Sequence, residues 1–319
     1  MSSGKNHSFS KKNALLTATV SICLVLFFVG GPGYSSSRSY SCFWDLGHIL
    51  FFAILTYLTL VNWPQGSKTT FWRQGLIVLA ATVVLGSLIE LAQTASFRSA
   101  DLTDVARDII GSLVALVFWA PNRKSISETV LRIFQIISVI LVAMTLLPLA
   151  VAVIDETTAR NQFPVLSDFE TPFERGRWIG NVDFSIDHKI HFHGSASLKV
   201  MLNTSKYSGV ALKYFPGNWQ GFEQLQLSIY NPDPEPIQLT CRIHDRRHTL
   251  GVQHYADRFN KRFSISAGWN LVKIPLSQVE NAPQKRKMAL NQIQGLGIFA
   301  VSLAEPKSVF LDYVRLVND

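Results

Sequence analysis

Asp45 and His48, Glu90 and Gln93, and Asp104 and Asp108 form three polar pairs within otherwise apolar stretches. On a helix, separations of three or four residues put both members on one face. Three helix ends can therefore offer carboxylates, a carboxamide and an imidazole to one outward-facing pocket, with Arg98 on the connecting loop as counter-ion. Ionisable groups at or near hydrocarbon depth cost several kcal/mol unless paired or wetted, so such a cluster reads first as functional. The chemistry it offers is general acid–base work by Asp45, His48, Glu90 and Asp104, with Gln93, Arg98 and Asp108 as binding groups. A purely structural reading stands beside it. Asp101 or Thr103 would cap a helix, and Glu90 would pair with Arg98.

A second concentration lies in RIHDRRHTLGVQHYADRFN, from Arg242 to Asn260. One strand–loop–strand unit there gathers Arg242, His244, Asp245, His254, Tyr255, Asp257 and Arg258. Aromatic faces ringed by planar hydrogen-bonding groups suit a sugar, and the same surface suits a protein contact or plain solvation. Aromatic candidates elsewhere in the domain are Trp178, Tyr207, Trp219 and Tyr230, although most aromatics on alternating strands are core. The histidines lack the compact spacing of a zinc site. No phosphate-cradling glycine loop or nucleophile elbow is present.

The elements that must position these residues differ sharply along the 319-residue chain. Hydrophobic residues make up 48% of it, and their excess lies almost wholly before residue 155. Five apolar runs, at about 14–31, 47–63, 72–93, 104–119 and 133–154, approach the roughly 20 residues that cross a bilayer. Trp44, Trp63, Trp72 and Trp119 stand at their ends, as interfacial aromatics do. The net charge of +8 is scattered, with no basic stripe or motif for nucleic acid, which is excluded as a partner. The three cysteines make no disulfide framework; Cys42 and Cys241 are the pair that can meet outside the membrane.

Loop charge sets the orientation. Lys5, Lys11, Lys12, Lys68, Arg73, Arg123, Lys124 and Arg132 fall on one side, with Glu128 as its acid. The N-terminus is therefore expected in the cytoplasm, with the polar cluster and everything after residue 154 outside. From Leu166 onward, short alternating runs such as SLKVML, LQLSIYN and IQLTCRIHD are separated by turn signals such as PGN and NPDPEP. That pattern predicts a β-sandwich large enough for its own core.

The segment IELAQTASFRSADLTDVARDIIGSLVA, with Asp45-x-x-His48 before it, resembles the VanZ family of membrane proteins over about residues 14–120. The matching positions are Asp45, His48, Glu90, Gln93, Arg98, Asp104 and Gly111; Asp108 departs from the family's usual asparagine. The resemblance implies a four-helix membrane unit and assigns no reaction. The C-terminal half resembles the galactose-binding-like jelly rolls of carbohydrate-binding modules and of the complex I intermediate-associated protein family. Its matching segments are DFE (168–170), HGSASLKV (193–200), YNPDPEPIQLTCRIHD (230–245), YADRFN (255–260), GWNLVKIPL (268–276) and FLDYVRL (310–316). This second resemblance implies a concave sheet face for ligands and a structural calcium held by Asp168, Glu170 and Asp312.

The expected architecture is thus an α-helical membrane bundle of five transmembrane helices followed by an all-β jelly-roll sandwich. Its parts are a cytoplasmic N-terminus (1–13), a VanZ-like unit (14–120), a loop and fifth span (121–154), a tether (155–165) and an extracytoplasmic domain (166–319). The expected role is that of a multi-pass protein of the bacterial inner membrane that recognises a glycan or lipid-linked glycan precursor. A hydrolase or transferase acting on that precursor, and a scaffold binding a protein partner, are the alternatives.

Overall fold

The computed structural model describes residues 11–29, 31–63, 68–94 and 101–318. Arg98 lies outside the described residues, so its role as counter-ion remains an expectation. The chain divides into two compact units, Met1–Ala150 and Val151–Asp319.

The first unit is helical: α1 (Lys11–Phe28), α2 (Arg38–Asn62), α3 (Phe71–Thr94), α4 (Leu102–Trp119) and the start of α5 (Glu128–Gln162). Among the described residues, α2, α3 and α5 are long and apolar enough to cross a membrane, and Leu16–Phe28 is a shorter apolar stretch. In α4, Asp104, Arg107 and Asp108 interrupt the apolar run. The second helix begins nine residues before the expected Gly47 because Ser37 caps it, accepting from the Tyr40 N–H. Asp45 and His48 consequently sit inside α2 rather than at its end.

Helix α4 packs on α2 and α3, and α1 on α2. The closest approach is at Gly111, where an added methyl would collide with the Ile49 carbonyl of α2. Small residues permit such approach where helices associate without a hydrophobic driving force. Next to it, Ser112 Oγ accepts from Thr56 Oγ1 (2.9 Å) and meets Thr82 Oγ1 (2.7 Å), which ties the three helices together. Large apolar side chains such as Leu76, Val84, Leu88, Ile136 and Leu147 are turned outward, as a lipid-facing surface requires.

The second unit is an antiparallel sandwich. One sheet orders β3 (Asp183–Asp187), β4 (Ser197–Leu202), β11 (Lys307–Val317), β6 (Gln224–Asn231) and β9 (Gly268–Pro275), and β1 (Val165–Ser167) also pairs with β11. The other orders β2 (Trp178–Gly180), β5 (Tyr207–Leu212), β10 (Ile293–Val301), β7 (Ile237–Asp245) and β8 (Phe259–Ile265). Alternation decides which side chains enter the shared core: Ile237, Leu239, Cys241 and Ile243 of β7 are buried in it, while Gln238, Thr240 and Arg242 point away. Trp178 and Trp219, two of the aromatic candidates, belong to this core, as does Cys241, whose burial removes it from any pairing outside.

Residues 155–165, expected as a tether, are helical as far as Gln162. Asp155, buried on α5, accepts from Arg177 Nε at 2.9 Å, and Arg177 also donates to Gln162 Oε1 and the Leu166 carbonyl. A guanidinium with no solvent exposure needs these partners, and they hold the last turns of the helix against the sandwich's first strands.

Candidate functional site

Two groups of polar residues stand out, one in each unit. In the helical unit, His48 Nδ1 lies 2.9 Å from Asp108 Oδ1, and its Nε2 lies 3.5 Å from Asp104 Oδ2. Arg107 is paired with the other oxygen of Asp104 and reaches Asp45 Oδ2 at 3.4 Å. Glu90 Oε2 accepts the Asp101 N–H at 2.7 Å, whereas Glu90 Oε1 is buried without a partner among the described residues. Gln93 donates to the Phe27 carbonyl of α1, and the Phe27 ring covers His48 with ring centroids 4.5 Å apart. Asp45, His48, Glu90, Asp104 and Asp108 thus lie together. Gln93 is spent on holding α1. Among the described residues, Arg107 is the cation that pairs with Asp45 and Asp104. The capping role also holds: Asp101 accepts from the Thr103 N–H and hydroxyl.

In the sandwich, cross-strand register brings the second group together. Gly297 of β10 pairs with Arg242 of β7, which pairs with Asn260 of β8; Gly295 pairs with His244. On the other flank Phe299 pairs with Gly209, and Val301 with Tyr207. All these residues lie on the sheet face turned away from the core, since their neighbours Leu296, Ile298, Cys241, Ile243 and Val210 fill it. Glycines floor this face. An added methyl at Gly295 would strike the His244 ring. Tyr207 and Phe299 meet edge to face with ring centroids 5.9 Å apart, and the Arg258 guanidinium lies 5.5 Å from the centroid of the exposed Tyr255 ring.

Arg242 Nε, His244 Nδ1, Arg258 Nε and Asn260 Oδ1 are buried on this face without hydrogen-bond partners among the described residues. Burial, with Arg242, His248 and Arg258 nearby, pushes the His244 imidazole down to about 3, so it is neutral near pH 7. Burial and the Arg242 charge also hold Arg258 below the usual guanidinium value. A cleft of about 340 Å³ lined by Tyr255, Arg258, Asn260, Lys261 and Gln278 adjoins them.

Two expected ligand contacts are instead structural. Asp245 is fully buried and holds Arg286 at 2.6 and 2.8 Å while accepting the His248 and Ala289 N–H groups. Asp257 takes the other edge of the same guanidinium at 2.6 and 2.9 Å. Burial alone would raise the Asp245 carboxyl, but Arg286 and the two N–H donors hold it below its ordinary value. Arg286 was missed because it lies about forty residues from Asp245, in a lysine-rich turn without a motif. His254 is exposed at the start of the turn containing Tyr255.

The three carboxylates expected to hold calcium face N–H donors. Asp312 accepts from Phe192, His193 and Tyr313, and Glu170 accepts from Ser195 and Ala196. Asp168 accepts the Glu170 N–H, and burial beside the Glu174 carboxylate raises it to about 6. Calcium requires oxygen donors around the ion. The oxygens of Glu170 and Asp312 are already occupied by donors of the 192–196 loop, which they fasten to the segment after β1 and to β11, and such occupied lone pairs do not fit it.

No family model and no curated protein matches the chain. Among solved structures, a family 11 carbohydrate-binding module from Clostridium thermocellum, in complex with a β-1,3-1,4-mixed-linked tetrasaccharide, is similar over 48% of this chain and 94% of its own, at 13% identity and TM-score 0.39. An exo-β-agarase is similar over 49% of this chain and 25% of its own, at 18% identity and TM-score 0.39. A module specific for non-crystalline cellulose covers 49% and 95%, at 14% identity and TM-score 0.35. The fold assignment rests on the strand order itself: a helical unit with membrane-length apolar helices, joined to an all-β sandwich of two antiparallel sheets.

Proposed function

We propose that this chain is an envelope protein of the bacterial inner membrane whose extracytoplasmic sandwich recognises a glycan or lipid-linked glycan precursor, carried on a VanZ-like unit with five spans in all. The observation that carries the reading is the outer face of the β2-β5-β10-β7-β8 sheet. Four buried polar atoms from Arg242, His244, Arg258 and Asn260 lie there, without partners among the described residues, beside Tyr207, Phe299 and Tyr255. Buried donors and acceptors left unmade cost about 1–3 kcal/mol each, and a hydroxyl-rich ligand would supply partners for them. Aromatic rings at the margin would take its C–H faces. Two guanidinium groups on one face favour sugars bearing carboxylate, sulfate or phosphate. The test is binding of folded residues 151–319, a compact unit with its own core, to arrays of cell-wall and capsule glycans. A hit should weaken about tenfold or more in Arg242→Ala and Tyr255→Ala. Failure of the folded domain to bind any of these sugars would overturn the reading.

A second reading, a membrane hydrolase or transferase acting on such a precursor, draws support from His48 standing between Asp108 and Asp104. Under it, Glu90→Gln or Asp104→Asn abolishes the cellular phenotype at unchanged protein level. A purely structural cluster would lose the protein itself.

A further inference from the structure

We infer that His48, Glu90 and Asp104 form a binding site for a divalent transition-metal ion of the zinc class. One nitrogen or oxygen from each of the three lies within 4.8 Å of the others, and they are the one such converging group among the described residues. The inference goes beyond glycan recognition by the sandwich and does not depend on it.

The hydrogen-bond pattern decides what the space between them needs. His48 Nδ1 faces Asp108 Oδ1 at 2.9 Å, so the proton of a neutral imidazole sits on Nδ1. Nε2 then presents a lone pair to Asp104 Oδ2 at 3.5 Å, acceptor against acceptor. A cation or a further proton between them would relieve that contact. A second proton on the imidazole would satisfy Asp104 but would leave Glu90 Oε1, on a residue only 5% exposed, without a partner among the described residues. A divalent cation takes all three groups at once.

The surroundings already hold each ligand by its other atom. Asp108 fixes the His48 ring, in the carboxylate–histidine arrangement that orients metal-binding imidazoles. Arg107 holds the second oxygen of Asp104, and the Asp101 N–H holds the second oxygen of Glu90. One imidazole and two carboxylates suit zinc better than calcium or magnesium, which prefer all-oxygen cages. Zinc bonds of about 2.0–2.2 Å place tetrahedral ligands roughly 3.3–3.6 Å apart, so the His48–Asp104 spacing of 3.5 Å fits, and Glu90, within 4.8 Å of both, is in reach of the same ion. Three protein ligands leave a fourth position for water or for an oxygen of a bound molecule.

The experiment uses the full chain in detergent micelles, stripped with chelator and then dialysed against equimolar zinc with excess magnesium. Elemental analysis should find one zinc per chain. Glu90→Gln and His48→Ala should lower the affinity at least tenfold at unchanged elution volume, and Asp108→Asn by about 10–100-fold. Should a variant not fold, X-ray absorption at the zinc edge of the unaltered protein reads the site directly. One imidazole nitrogen with oxygen neighbours and no sulfur is expected. Folded protein holding no zinc above the dialysis background, a sulfur ligand, or undiminished binding in folded Glu90→Gln and His48→Ala would each overturn the assignment.

Discussion

Arg286 belongs to no motif, yet it joins two carboxylates that the sequence would send to a ligand. Asp245 is fully buried, so removing its guanidinium partner strands a charge where water cannot reach it. Arg286→Leu should therefore cost the sandwich about 3–5 kcal/mol in urea unfolding, while the exposed Arg262→Ala stays within about 0.5 kcal/mol. The buried titrating groups predict two opposite pH effects. His244 stays neutral in the fold down to about 3, whereas its unfolded imidazole takes up a proton below about 6.5. Stability is lost from this source as pH falls from about 6.5 toward 3, and His244→Gln should flatten that part of the profile. Asp168, raised to about 6, holds a proton in the fold that the unfolded chain releases above about 3.9. Its contribution is present at low pH and is lost as pH rises through about 4–6, so Asp168→Asn should remove a slope of the opposite sign. Thermal melts of residues 151–319 across pH 3–8 separate the two.

At the scale of elements, residue spacing gave helix faces but not helix partners. The i,i+3 and i,i+4 pairs foretold that Asp45 with His48 and Asp104 with Asp108 would each share a face. Their meeting depends on how closely α4 approaches α2, and Gly111 controls that approach. Gly111→Leu should abolish accumulation of folded protein in the membrane, whereas Gly75→Ala, in open space on α3, should leave it unchanged. Quantitative immunoblotting of membrane fractions with detergent-resistance profiles reads both. The strands show the same division. Eight of them, β4 to β11, were legible from alternation and turn residues, but the short β1, β2 and β3 were not, because three to five residues carry too little period to register. The helix runs on through residues 155–162 for a different reason. Asp155 reads as a polar helix end until Arg177, distant in sequence, buries it.

For the whole molecule, the loop charges predict a cytoplasmic N-terminus and an exported sandwich. Alkaline phosphatase fused after the last residue should be active, and a cytoplasmic reporter there silent; the reverse result would remove the glycan reading. Because the carboxylates of Glu170 and Asp312 are taken by N–H donors, neither calcium nor EDTA should move the melting temperature of residues 151–319 by more than about 1 °C. The sequence by itself determined the division into an apolar helical half and an all-β half, and which polar residues share a helix face. Hydropathy and periodicity are local properties of the chain, readable within a window of one element. Only the tertiary structure decided that Asp245 and Asp257 serve Arg286 and that Arg107 serves Asp45 and Asp104. It alone set His48 between two carboxylates and aligned Arg242, His244 and Asn260 across glycines of another strand. Those assignments depend on which distant groups are desolvated together, and neither burial nor cross-strand register is contained in any short stretch of the sequence.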